Sequence, residues 1–215
     1  MYQEWGEGRS PRHGRDAGRP APHSREPGVS TSVVVLIVTV VLAVAVLGWV
    51  VATYNGLVRR RNAVTNAWSQ IDVQLKRRYD LIPNLVETVR GYAGHERQTL
   101  ESVTAARAAA VAAQGPAEQA KAENTLSATL RSLFAVSEAY PQLQASRNFS
   151  ELQGELSDTE NRIAYARQYY NDAVLTYNNA VQTVPTNIVA GVGGFVPRES
   201  FEAPGEERRP VQVRF

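Results

Sequence analysis

The chain has 215 residues, 23 of them basic and 21 acidic, so its net charge is only +2. That balance excludes a polyelectrolyte that binds nucleic acid by bulk charge. There is no cysteine, which excludes disulfides, thiol catalysis, cysteine-ligated zinc and a lipidated cysteine anchor together.

Residues 1–28 are rich in Gly, Pro, Arg, Ser and acids, with almost nothing apolar to bury, and read as a disordered leader. Residues 29–53 read as a membrane span. Their centre, "TSVVVLIVTVVLAVAVLGWVVA" from Thr31 to Ala52, carries no charge. As a helix it rises roughly 33 Å, about one hydrocarbon thickness. The long polar leader and the missing small-residue cleavage site argue against a signal peptide. Arg59, Arg60 and Arg61 follow the span closely, whereas Arg19 and Arg25 precede it at a distance, so the positive-inside rule leans towards a cytoplasmic C-terminal domain. Trp49, Tyr54 and Asn55 fit the aromatic belt at the end of the span.

Residues 54–187 read as helix almost throughout. Val64, Trp68, Ile71, Leu75 and Ile82 form one apolar stripe, interrupted by Arg78. Leu85, Val89, Tyr92, Glu96, Thr99, Val103 and Ala106 form a second, and Leu126, Leu130, Leu133 and Phe134 a third. The fourth runs from Phe149 through Leu156, Ile163, Tyr170 and Tyr177 to Ala180 in steps of three and four, the seam of a helix in a bundle. Breaks fall at Gly115-Pro116 and at Tyr140-Pro141, and Pro185 closes the last helix. Asn148 with Glu151 reads as a capping box. In "QLKRRYDLIPNLVETV", Asp80 is placed as an N-cap with Pro83 in the first helical turn; this turn is preferred over one kinked helix from Leu57 to Ala113. The fold expected is all-α, an N-terminal transmembrane helix followed by an antiparallel four-helix bundle. Residues 188–215 read as an apolar strip, which docks on the bundle or stays exposed, and then a disordered tail.

Arg78 occupies a core-facing position, where an unpaired charge is costly. Glu96, Glu138 and Glu160 are its candidate partners, and Arg107 and Arg167 are further basic candidates on or beside the seam; an interhelical ion pair that sets register is preferred over a binding role. Tyr170-Asn171 and Tyr177-Asn178 repeat at an interval of seven, so both tyrosines share a face; core tyrosines with asparagines tying adjacent helices are expected. Catalytic patterns fail one after another. His95 alone among the histidines lies outside the leader, and "HERQT" lacks the second histidine of a zinc-protease helix. No Glu-x-x-His pair offers a di-metal site, and "GVGG" follows a helix rather than a strand. Neither enzyme chemistry nor a cofactor or metal is expected.

The stretches "AWSQIDVQLKRR", "DLIPNLV", "GYAGHE", "EAYPQL" and the run from Glu160 through "IAYARQYYN" resemble the LemA family of bacterial membrane proteins, over about Tyr54 to Phe195. Val184 departs from the pattern, which tends to carry an aromatic before that proline, and the leader is longer than is usual. The resemblance implies an N-terminal span, a helical bundle on the cytoplasmic side and no active-site residues to carry over; Tyr140 and Pro141 belong to one of the matched stretches. The expected function is a single-pass inner-membrane scaffold or adaptor. Its expected partners are lipid through residues 29–53 and other membrane proteins, with no nucleic acid. Self-association into a membrane-shaping oligomer and an anionic-ligand module centred on Arg78 are the alternatives.

Overall fold

The computed structural model describes residues 30–201, so the expected leader (1–28) and the last residues of the tail lie outside the described residues. The described residues contain helices and no strand: α1 (Thr31–Tyr92), α2 (Arg97–Ala112), α3 (Gly115–Ser137), the single turn α4 (Pro141–Gln144), α5 (Arg147–Gln182) and the short α6 (Thr186–Val192). Two compact units divide at Ala45. In the first, the side chains from Ser30 to Ala45 are all exposed, and mean hydropathy reaches 3.1 in the most apolar window of α1. That apolar surface is what a lipid-facing helix presents.

The second unit, from Val46 onward, is the bundle. Its α1 portion and α5 run antiparallel: Trp68 packs on Tyr170 (ring centroids 5.4 Å apart), and ten residues later Arg78 meets Glu160. Two apolar clusters follow each other along this pair. One joins Leu57, Val64, Ile71 and Leu75 of α1 to Ile163, Tyr170, Val174 and Tyr177 of α5. The other joins Ile82, Leu85 and Val89 to Leu100 and Val103 of α2, Leu126, Leu130 and Leu133 of α3, and Phe149 and Leu156 of α5. The four-helix part of the bundle is this second cluster. Truncating a fully buried side chain such as Leu133 to Ala costs about 2–5 kcal/mol.

The turn expected at Asp80–Pro83 does not form. Pro83 lies inside α1, which continues to Tyr92, and Asp80 is an exposed mid-helix residue rather than a cap. A proline removes the donor for the carbonyl four residues back, here Tyr79. The side chain of Arg107, from α2, donates its Nε–H to that carbonyl at 2.7 Å. A tertiary contact therefore replaces the missing helical bond. The chain turns instead at residues 93–96, between α1 and α2, inside the glycine-bearing "GYAGHE". The capping box is also corrected: α5 starts at Arg147, and Glu151 accepts from Arg147 Nε at 2.7 Å instead of closing a cap with Asn148. The turns at Gly115-Pro116 and Tyr140-Pro141 and the end of α5 before Pro185 agree with the sequence reading.

The strip from 188 onward is split. Val189, Ala190 and Phe195 are buried, whereas Ile188, Val192 and Val196 are exposed.

Candidate functional site

Two constructions account for most of the polar residues singled out above, and a third feature lies on the surface. The first is a polar knot where Arg78 enters the core. Its guanidinium and the carboxylate of Glu123 are each only 3% exposed, so this pair is fully desolvated. Arg78 Nη1 donates to Glu123 Oε2 at 2.9 Å and lies 3.2 Å from Glu160 Oε2, while Nη2 donates to Ser127 Oγ at 2.7 Å. Glu123 Oε1 in turn accepts from the Tyr79 hydroxyl and from Gln119 Nε2, the latter at 3.0 Å. Gln119 also donates to the carbonyl of Ala110 at 3.1 Å. That carbonyl lies in the last turn of α2, where no helical donor remains. With Arg107 on the Tyr79 carbonyl, the knot ties α1, α2, α3 and α5 together at one level.

The ionisable groups agree with that picture. Burial, first, and then the hydrogen bond and charge of Glu123 push the Tyr79 phenol far above its ordinary range, so it remains a donor at any working pH. The knot carries one buried arginine against two carboxylates.

Of the acids considered for Arg78, Glu160 is a partner. Glu96 instead faces the Tyr140 hydroxyl (3.3 Å), which ties the α1–α2 turn to the start of α4 at Pro141. Glu138 is the exposed C-cap of α3. Glu123, the main partner, is not among those acids. The signal was present: extending the Leu126–Leu130–Leu133 stripe back by one and two turns reaches Glu123 and Gln119.

The second construction uses the Tyr-Asn repeat. The chain beyond α6 runs back along α5 as an extended strap, and each dipeptide grips it. Asn178 accepts the Arg198 N–H (2.8 Å) and donates to the Arg198 carbonyl (2.8 Å); Asn171 does the same with Phe201 (2.8 and 3.4 Å). Tyr177 donates to the Val196 carbonyl at 2.9 Å and Tyr170 to the Glu199 carbonyl at 2.8 Å. Burial raises the Tyr170 phenol as well, keeping that donor protonated. Phe195 and Phe201 are the strap's apolar anchors; Arg61 lies over the first ring and Arg167 over the second, 4.9 Å from its centroid. Gly194, at φ +68°, supplies the left-handed turn that starts the strap. So the tyrosines are core residues as expected, but the asparagines hold extended backbone rather than a neighbouring helix.

The third feature is a surface cleft of about 550 Å³ between α1 and α5. Ser69, Gln70 and Val73 line one side, and Arg162, Tyr165 and Tyr169 the other. Val73, Tyr165 and Tyr169 are all largely exposed, Tyr165 at 75%. Among the described residues no cluster of His, Asp and Glu could hold a metal ion.

The sequence profile of the LemA family matches residues 67–215, which include the knot, the cleft and the strap. The chain belongs to the LemA family. Protein LemA of Metamycoplasma hominis is 29% identical over 140 residues, covering 63% of this chain and 63% of that protein. The chain thus spans a little under two thirds of that relative. Magnetosome protein MamQ 1 of Paramagnetospirillum magneticum and magnetosome protein MamQ of Magnetospirillum gryphiswaldense are each 26% identical, covering 78% and 77% of this chain and 71% of those proteins. This LemA-family chain is a membrane-associated helical protein: α1 opens with a segment long and apolar enough to cross a bilayer.

Proposed function

We propose that this LemA-family chain is a single-pass membrane-anchored scaffold without catalytic activity of its own, whose bundle lies on the cytoplasmic side and binds other membrane proteins. The observation that carries the reading is the cleft between α1 and α5. Tyrosine and arginine are the side chains enriched where proteins bind one another, and here two tyrosines and Arg162 stand exposed beside Val73 over a bundle that is internally tied. Val73 lies 19 residues beyond Tyr54, so on a helix the cleft stands roughly 28 Å from the end of the apolar segment. A partner that reaches it has a folded part outside the bilayer.

The test is a photo-crosslinking amino acid placed at Val73 in the full chain in its own membranes. A discrete protein adduct, lost when Arg162→Glu and Tyr169→Ala are introduced, supports the scaffold. Absence of any protein adduct at Val73, or the same adducts from a probe at Glu118, overturns it. The side of the membrane is read separately. Because the chain has no cysteine, Ser10→Cys and Gln114→Cys can be treated in intact cells with an impermeant thiol reagent. Labelling of the first alone supports the cytoplasmic bundle, and labelling of the second alone reverses it.

A further inference from the structure

The end of the bundle next to the apolar segment carries a feature that neither the knot nor the cleft uses. Phe195 packs on Tyr54 with ring centroids 5.3 Å apart, and Val50 packs against the cluster that contains Leu57, Val189, Ala190 and Phe195. Residues 46–52 are the last part of the uncharged segment and belong to the same compact unit as α6. The turn Val184–Val196 is therefore held at the level where the apolar segment ends. Its inner side is buried through Val189, Ala190 and Phe195. Its outer side is not: Val184 is 72% exposed, Ile188 65%, Val192 90% and Val196 63%. Ile188 and Val192 lie four apart in α6 and so share one face, and Val184 lies in the turn just before it.

We propose that this face docks onto the bilayer surface, making α6 a second, interfacial membrane contact beside the anchor. The inference rests on the membrane-anchored reading given above. Three observations favour lipid over a protein or a second copy. The turn that carries the face is seated, through its buried inner side, on Val50 and Tyr54 at the end of the uncharged segment. Trp49 and Tyr54, 42% and 44% exposed, are of the type that sits at headgroup level. Arg59, Arg60 and Arg61 are exposed within two helical turns of Tyr54, placed to meet anionic headgroups. Short apolar faces of this kind sink about 5–10 Å into the boundary between headgroups and acyl chains. The strap begins at Phe195, just beyond α6, and is gripped by α5 as far as Phe201.

The test uses the full chain in phosphatidylcholine–phosphatidylglycerol nanodiscs, with one spin label at a time on Ile188→Cys, Val192→Cys, Val40→Cys or Gln144→Cys. Collision with oxygen is compared with collision with a water-soluble nickel chelate. The expected result is deep burial at position 40, full water exposure at 144, and a depth of about 5–10 Å at 188 and 192. Labels at 188 and 192 as water-exposed as at 144, with 40 deeply buried, overturn the docking and leave the anchor intact. A water-exposed label at 40 overturns the anchored reading and this inference with it. Labels at 188 and 192 shielded from both reagents, with spin–spin broadening that vanishes on dilution with unlabelled chain, show that a second copy covers the face and also overturn it. Val192 is 90% exposed, so its replacement leaves the fold unaltered.

Discussion

Replacing Arg78 by methionine keeps the apolar stem and removes the charge that Glu123 faces. Three interactions go: the 2.9 Å hydrogen bond to Glu123, the 2.7 Å bond to Ser127 and the ion pair with Glu160. Glu160 is half exposed and re-solvates at little cost. Glu123 is 3% exposed and cannot. Breaking a buried pair from one side costs about 3–5 kcal/mol, and because Glu123 keeps the Tyr79 and Gln119 donors, the lower end, about 3 kcal/mol, is expected. For a domain of this size that lowers Tm by roughly 6–12 °C. Glu123→Gln in the Arg78→Met background removes the stranded charge, so the double variant recovers by about 2 kcal/mol relative to Arg78→Met. Guanidinium unfolding of the full chain in non-ionic detergent, followed by far-ultraviolet circular dichroism, reads all four states of the cycle. Arg78→Met within about 0.5 kcal/mol of the parent, or two substitutions that simply add, refutes the buried-pair account.

Arg107→Leu strands the Tyr79 carbonyl and is expected to cost about 1–3 kcal/mol, but clearly less in a Pro83→Ala background, where a backbone N–H is restored; equal costs in both backgrounds, measured in the same unfolding assay, contradict the compensation. Asn178→Ala removes both bonds to Arg198, and hydrogen exchange at that amide should rise by about tenfold or more, with little change in the buried amides of α2; unchanged exchange at Arg198 means the strap is not held by this residue. Tyr79 and Tyr170 hold their protons above the ordinary phenol value of 10.0, whereas the unfolded chain releases them near it, so the folded state binds more protons at alkaline pH. Stability from these groups is complete below about pH 10 and falls above it by at most about 1.4 kcal/mol per pH unit per tyrosine; Tyr79→Phe should show a shallower alkaline slope.

Local pattern was legible where the deciding force is local. An uncharged run announces an apolar helical segment, and the three-four alternation from Phe149 to Tyr177 announces α5, because burial on one face of a helix has a fixed period. Gly115-Pro116 announces the α2–α3 turn for the same kind of reason, a backbone preference carried by the residues themselves. Pro83 shows where local reasoning fails. A proline is a sound stop signal only if nothing satisfies the carbonyl it leaves open, and the donor here comes from Arg107, 28 residues away.

The class, the apolar segment, the family and the buried faces of α3 and α5 were thus legible along the chain, whereas the stripe through Tyr92 and Glu96 was not, since Tyr92 is exposed and the chain turns at 93–96. Tertiary structure alone decided which acid meets Arg78, that α1 passes through Pro83 to Tyr92, and that the paired asparagines grip an extended strap rather than a helix. The difference is physical. Periodicity and composition are summed along neighbouring residues, while a hydrogen bond between Asn171 and Phe201 depends on two distant segments being brought together by everything that packs between them.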